Sequence, residues 1–318
     1  VRTQAFREMS TRCAKRIAAT GTPILHRQAD IASQCLAMGA PKAPIDFTKV
    51  QSWMVKKDHT TLSDRTNKKF MKLVNRATKD TLGLPPLVQT AVSYDVTVPE
   101  ENVERYNEII ETARELRLAW ERNPGQVTGQ DVARLMALLQ EAQFMTVCPT
   151  IAEYSAKEIH VNADLIEKAA RTPTGSFLAL LAEVRLLQSE GHMRIIIASM
   201  HTSILYTAAK FLQYEGEDTG KQYFYDGNMT RKKREDSASE FLSCRVGLMF
   251  LSIPAGGQGV HLVPGCEAMI LFGSTPWAPG QVQQVVDRIH RMGQMAPTTG
   301  SVQIRRLVPY GSVDAAIS

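Results

Sequence analysis

The sequence predicts an α/β protein whose later part is an open parallel sheet covered by helices on both faces, and three observations point to it. From Arg194 onward, short apolar runs alternate with helix-like segments, the order that builds a parallel sheet through crossover connections. Before them lie two long helix-like stretches parted by the turn signal Asn123-Pro124-Gly125. Near the start, one strand-like run, Arg16 to Ala19, has no visible sheet partner upstream.

In chain order, Arg16 to Ala19 leads into the turn Thr20-Gly21-Thr22-Pro23, and a helix follows from Ala29 to Met38. The stretches Glu100 to Arg122 and Gln130 to Thr146 read as helices of a connector. Val132, Leu135, Met136 and Leu139 recur at helical spacing, and Pro149 breaks the pattern. Strands are expected over Arg194 to Met200, Gln222 to Tyr225, Val246 to Ser252, Glu267 to Phe272 and Val302 to Val308. Between them, Ser203 to Tyr214 gathers Ile204, Leu205, Ala208, Phe211 and Leu212 on one helical face, Arg231 to Cys244 reads as a charged helix, and Gly280 to Met292 as another. This divides the chain into residues 1–98, 99–170 and 171–318.

Composition excludes several classes. The chain of 318 residues is 44% hydrophobic and 22% charged, close to globular averages and far from disordered or fibrous ones. No apolar run approaches the eighteen or so residues of a membrane span. Cys13, Cys35, Cys148, Cys244 and Cys266 form no C-x-x-C pair and are odd in number, so neither a disulfide framework nor a zinc site is expected, and a reducing intracellular compartment fits. No metal site is expected. The chain opens on Val1 with a basic, polar stretch, which reads as an excerpt from a longer protein. The net charge of +5 is uneven, with 16 basic against 6 acidic residues over 1–90, 9 against 16 over 91–193, and 12 against 10 over 194–318. A basic first third is compatible with a polyanionic partner, although Lys-rich helices are more often simply solvated, and charge alone leaves that reading ahead.

Three constellations carry possible chemistry. In Gln284-Val-Val-Asp287-Arg288-Ile-His290-Arg291-Met-Gly293-Gln294, two arginines lie three apart on one helix. Such always-charged, bidentate donors suit a polyphosphate on which charge builds during reaction, where the bland alternative is a pair of surface salt bridges. Ser252-Ile-Pro-Ala255-Gly256-Gly257-Gln258-Gly259-Val260 follows an apolar strand, where open α/β sheets place ligand loops, and its glycines let backbone N–H groups approach phosphates. Thr20-Gly21-Thr22-Pro23-Ile24 is another strand-to-loop junction. No H-E-x-x-H, G-x-S-x-G or acidic metal loop occurs, and Gly216 to Gln222 is one residue short of a phosphate-binding loop and lacks its Ser or Thr.

In this order the three segments resemble the Swi/Snf-type chromatin-remodelling ATPases of helicase superfamily two, whose motors have two RecA-like lobes. Thr20 to Ile24 is similar to motif III, Arg76 to Lys79 with Leu84-Pro85-Pro86 to the stretch leaving lobe one, and Tyr106, Leu135 to Leu139 and Cys148-Pro149 to the connector. Arg194 to Leu205 resembles motif IV, Tyr225-Asp226-Gly227 with Arg234 and Phe241 the segment after it, Ser252 to Leu262 motif V, and Gln284 to Gln294 motif VI. Trp277 and Pro279 resemble the W-N-P signature, and Ile304 to Leu307 with Gly311 to Asp314 the end of lobe two. The sequence departs from the family pattern at Leu25, His26, His261, Ala278 and Val282.

The resemblance implies a RecA-like second lobe over 171–318, a helical connector over 99–170 and the end of lobe one with motif III over 1–98. It implies a DNA-dependent ATPase and translocase acting on double-stranded DNA or chromatin with other remodelling subunits, nuclear in a eukaryote. ATP with Mg2+ is the implied cofactor, bound mainly by a first lobe whose P-loop and acidic motif lie upstream, so this chain alone is expected to be inactive. Arg288, Arg291 and Gln284 take the catalytic roles, with Gly257, Gly259, Asp287 and both arginines on the nucleotide. Thr20, Gly21, Thr22, His201, Arg234, Ser252, Gly256 and Trp277 face nucleic acid. The rival is a non-catalytic nucleic-acid-binding or scaffold module that keeps the lobe-two fold; a nucleotide-sugar transferase using Gly256-Gly257 has no visible base.

Overall fold

The computed structural model describes residues 83–312, apart from 97, 124–127, 153–161, 217–219, 258, 259, 261, 274–278, 292, 293 and 295–299. The expected strand Arg16 to Ala19 and helix Ala29 to Met38 lie outside the described residues. The chain divides into two compact units, Val1–Gly83 with Ala278–Gln284, and Leu84–Trp277 with Val285–Ser318. Nearly all described residues belong to the second. No helix among them is long and apolar enough to cross a membrane.

The second unit is a six-stranded parallel sheet with its helical connector. The strands are β1 (Leu87–Tyr94), β2 (Arg194–Ser199), β3 (Lys221–Tyr225), β4 (Gly247–Ser252), β5 (Ala268–Leu271) and β6 (Val302–Pro309), in the order β1-β6-β5-β2-β4-β3. All five expected strands form within one or two residues of their expected ends. The central strands are legible because a parallel strand covered on both faces must be apolar throughout. Ile195 to Ala198, Leu248 to Leu251 and Ala268 to Ile270 are fully buried. Register is fixed by pairs such as Ile196 with Met249 and with Met269.

The edge strand β1 was not expected. The sequence assigns residues 84–98 to the first domain; in the structure Leu87 to Tyr94 adds in parallel to β6, pairing Leu87 with Val302 and Tyr94 with Pro309. Its alternating exposure is that of a half-covered edge strand, and nothing in LVQTAVSY says which sheet it joins.

The connector helices α1 (Glu100–Arg122) and α2 (Gly129–Val147) match their expected spans. At the start of α2, Thr128 Oγ1 accepts from the Asp131 amide at 3.2 Å while the Asp131 carboxylate accepts from the Thr128 amide at 2.9 Å. This capping box satisfies two donors the helix itself leaves free. Pro149 ends α2 and opens a 3₁₀ turn, Pro149–Ile151. Two more helices, α3 (Ala163–Arg171) and α4 (Gly175–Ser189), lead into β2. Phe144, Val147, Ile151, Leu165, Phe177 and Leu180 join Ile195, Phe211, Phe250 and Phe272 in one core, so the end of the connector is part of the lobe's hydrophobic interior.

Between the strands lie α5 (Thr202–Tyr214), α6 (Arg231–Ser243) and the single turn α7 (Ile253–Gly256). The last helix, α8 (Pro279–Val286), stops a turn and a half short of its expected end at Met292. Beyond it the Arg288 amide donates to Val285 O at 2.9 Å, and the Ile289 and His290 amides both donate to Val286 O at 3.1 Å, a tightened turn that mixes i to i−3 and i to i−4 bonds.

Candidate nucleotide and nucleic-acid site

The connections leave β2 and β5 in opposite directions, β2 toward β4 and β3, β5 toward β6. Neighbouring parallel strands whose connections diverge open a crevice at their carboxyl ends. Phe272 N donates to Ala198 O at 2.8 Å there, and Gly273, at φ +76°, lies so close to the Ser199 hydroxyl that a Cβ would come within 3.2 Å. Glycine is required on both counts.

His201 follows β2 as the N-cap residue of α5, with its amide donating to Ser199 Oγ at 3.3 Å. Its ring stands edge-on to Phe144 of α2, 4.5 Å between centroids. Burial pushes the imidazole pKa down to about 4. His201 is therefore neutral at physiological pH, with its ring committed to a connector contact.

Ser252 closes β4 with 4% of its surface exposed. The chain then turns through α7, where Gly257 N donates to Ile253 O at 3.0 Å. A Cβ on Gly256 would come within 2.4 Å of Leu251 Cδ2, so the absent side chain lets this turn lie on the core.

Arg288 meets the same loop: its guanidinium donates through Nη2 to the Gly257 carbonyl. Nε is buried without a partner, and no ion pair joins Arg288 to a carboxylate among the described residues. Burial, then the nearby Arg291 charge, lowers its pKa, while Asp287 and Tyr225 oppose that shift. Two guanidiniums three residues apart are held together at a cost that an anion would relieve. The segment is pinned by His290, 7% exposed, whose Nε2 lies 2.9 Å from Pro85 O. Beyond it, Gln294 Nε2 donates to Cys266 O at 3.0 Å.

Arg234 of α6 stacks its guanidinium 5.7 Å from the Tyr225 ring centroid, with Nε likewise buried and unpartnered. Asp226, 2% exposed, accepts from Tyr206 OH at 2.6 Å and from the Asn228 amide at 2.7 Å. Thus Tyr225 lies near both Arg234 and Arg288, a juxtaposition that the sequence does not predict, and neither does it predict the contacts of Phe144, Tyr206 and Pro85. Only long-range packing brings these together.

Of the expected residues, the structure gathers Ser252, Gly256, Gly257, Arg234, Asp287, Arg288 and Arg291 at the carboxyl edge of β3 and β4, with His201 at the end of β2. Gln284 lies on α8 within the first unit, and is half-buried. Thr20, Gly21, Thr22, Gly259 and Trp277 lie outside the described residues. Among the described residues no cluster of three or more His, Cys, Asp or Glu could hold a metal ion.

Residues 177–293 match the helicase conserved C-terminal domain. The chain is 27% identical over 172 residues to the DNA repair protein RAD5 of Saccharomyces cerevisiae, covering 52% of this chain and 14% of that protein. It is 29% identical over 150 residues to the chromatin-remodeling ATPase INO80 of Homo sapiens, covering 46% of this chain and 9% of that protein. The chain thus spans a small fraction of the length of these relatives. The C-terminal part of the Fun30 ATPase domain shares the fold at a TM-score of 0.53 and 17% identity, over 74% of this chain and 89% of that one. A Sulfolobus solfataricus SWI2/SNF2 ATPase core domain shares it at 0.51 and 20% identity, over 95% and 57%.

Proposed function

We propose that this chain, whose residues 177–293 match the helicase conserved C-terminal domain, is the C-terminal portion of a Swi/Snf-type helicase and forms the second motor lobe of a DNA-dependent ATPase that translocates on double-stranded DNA. The observation that carries the reading is Arg288, a half-buried guanidinium held by one backbone carbonyl, its Nε buried without a hydrogen-bond partner, with no ion pair to a carboxylate among the described residues and the Arg291 charge nearby. Salt-bridging arginines do not look like this; Arg105, bonded to Glu141 at 3.0 Å, does. In the closed motor Arg288 and Arg291 meet the phosphates of ATP, whose magnesium is held chiefly by the first lobe, and stabilise the charge that develops as phosphate is transferred to water. Gln284 relays nucleotide state to lobe position, and Asp287 orients the arginine pair. Gly257 and Gly259 belong to the glycine loop that faces the nucleotide in this reading.

The nucleic-acid side of the lobe is formed by Ser252, Gly256, Arg234, His201 and Trp277, with Thr20 to Thr22 from the first lobe. Contacts of this kind fix the motor on the phosphate backbone without reading sequence. His201, being neutral, serves by backbone position rather than charge. In this reading residues 1–83 end lobe one, the connector follows, other remodelling subunits complete the assembly, and the protein works in the nucleus. The 318-residue chain by itself does not hydrolyse ATP.

The test is Arg288→Ala in the full-length protein, measured as ATP turnover at saturating DNA beside nucleotide binding. An arginine finger contributes about 10³ to 10⁵ in rate, roughly 4 to 7 kcal/mol, against at most about 1 kcal/mol for an exposed salt bridge. Turnover should collapse with ATP binding retained, and Arg288→Lys should not rescue it because the planar fork is lost. A two- or threefold loss at unchanged melting temperature would instead favour the scaffold reading.

A further inference from the structure

We propose that His290 is a positioning residue for the arginine pair: by donating from its ring to the Pro85 carbonyl, it holds the segment of Arg288 and Arg291 against the stiff run that opens β1. The proposal deepens the reading of this lobe as a motor and rests on it. A carbonyl oxygen only accepts, so the 2.9 Å contact requires the proton on Nε2. His290 is 7% exposed, and burying an imidazole costs free energy unless its polar atoms are paired, so packing alone would favour an apolar side chain here. What the hydrogen bond adds is direction. Val285, Val286 and Ile289 are buried and fix the segment by apolar contact, and farther on Gln294 Nε2 binds Cys266 O. His290 lies between these anchors, next to Arg291 and two residues from Arg288.

The acceptor sits on a stiff run. Proline fixes its own φ near about −65° and confines the residue before it to extended conformations, and Pro85 is followed by Pro86, so Leu84 and Pro85 are both restricted. The Pro86 carbonyl is taken by the Val302 amide at 2.8 Å, where β1 begins its pairing with β6. The chain passes from the first compact unit into the second at Gly83–Leu84 and again at Gln284–Val285. Pro85 and His290 each lie just inside the second unit after one of these passages, and their bond joins the two stretches across 205 residues of sequence. In the motor reading the movement of lobe one reaches this unit along those passages, so the bond makes the arginine pair follow the entry of β1.

The experiment measures DNA-stimulated ATP turnover by the full-length protein, with kcat separated from KM, beside binding of ADP alone and of ADP with aluminium fluoride, a mimic of the phosphoryl group in transfer. His290→Phe keeps a ring and removes the donor, His290→Gln places a donor at about the reach of Nε2, and His290→Asn places one near the position of Nδ1. A misplacement of about 1 Å costs on the order of 10²-fold in rate, so His290→Phe should lower kcat by about 10- to 100-fold at unchanged KM for ATP. Binding of ADP with aluminium fluoride should weaken by a similar factor while ADP binding holds, because the arginines act on the transition state. His290→Gln should recover most of the turnover and His290→Asn should not. If Arg288→Ala leaves turnover intact, the motor reading fails and takes the proposal with it. If Arg288→Ala collapses turnover and His290→Phe does not lower it, the proposal is overturned while the reading stands. A loss in His290→Phe that falls equally on ADP binding and melting temperature, or that Asn restores as well as Gln, shows a fold contact alone and overturns the proposal too. Should His290→Phe fail to fold, the Gln and Asn variants decide, and equal turnover in the two overturns it.

Discussion

Arg194 opens β2 with a guanidinium that serves the fold rather than any ligand, and replacing it should be among the most damaging single changes in the lobe. Its Nε donates to Gly265 O, and its Nη1 donates to Leu242 O and Cys244 O, each at 3.1 Å. The last two are carbonyls at the end of α6, where a positive charge also meets the negative end of the helix dipole. Gly265, at φ +113°, is glycine partly because a Cβ would stand 2.8 Å from the Arg194 Nη2. Arg194→Met keeps the aliphatic stem but removes three charge-assisted bonds and strands their acceptors; at about 1 to 1.5 kcal/mol each, after partial rehydration, the loss is about 3 to 5 kcal/mol. For a lobe of this size that corresponds to a fall in melting temperature of roughly 6 to 20 °C. Arg194→Lys should recover about a third of it, since one ammonium cannot reach all three carbonyls. Arg105→Met, which removes an exposed pair with Glu141, is the control and should cost under about 1 kcal/mol. The assay is thermal and urea unfolding followed by circular dichroism. A melting temperature for Arg194→Met within about 2 °C of the parent would refute the argument.

His201 should make the lobe less stable in mild acid. Its folded pKa of about 4 lies below the unfolded value, so stability is complete above about pH 6.5, declines as the unfolded chain takes up the proton, and is fully lost below about pH 4. Allowing for partial burial, this amounts to about 1 to 3 kcal/mol, and His201→Phe, which preserves the ring contact with Phe144, should remove that part of the decline in urea midpoints measured from pH 7 to 4. An identical decline in parent and variant would show the imidazole to be solvated. Gly256→Ala should destabilise by about 1 to 3 kcal/mol through overpacking against Leu251, read as a lower urea midpoint at unchanged slope, and an unchanged midpoint would show that Leu251 yields freely.

The carboxyl-edge site was legible in part. Arg288, Arg291 and the Ser252 to Gly257 loop stand out because a guanidinium pair at fixed spacing and a glycine run after an apolar strand are local patterns. What the pair touches was not legible. Arg288 meets Gly257 across 31 residues of sequence, and Tyr225 comes near it only because β3 and β4 are neighbours. The helix expected to carry both arginines ends at Val286, and its tightened tail depends on His290 reaching Pro85, a contact spanning 205 residues.

By itself the sequence determined the central strands and the connector helices. Continuous apolar runs, capping boxes and proline breaks act within a few residues, so their consequences are written where they occur. Only the tertiary structure decided that Leu87 to Tyr94 joins β6, that Phe144 packs edge-on against His201, and that Arg194 binds three carbonyls. In each case the segment's own pattern admits several partners. The choice is made by the free energy of burying apolar surface and pairing polar groups across the assembled core, and no local window contains that sum.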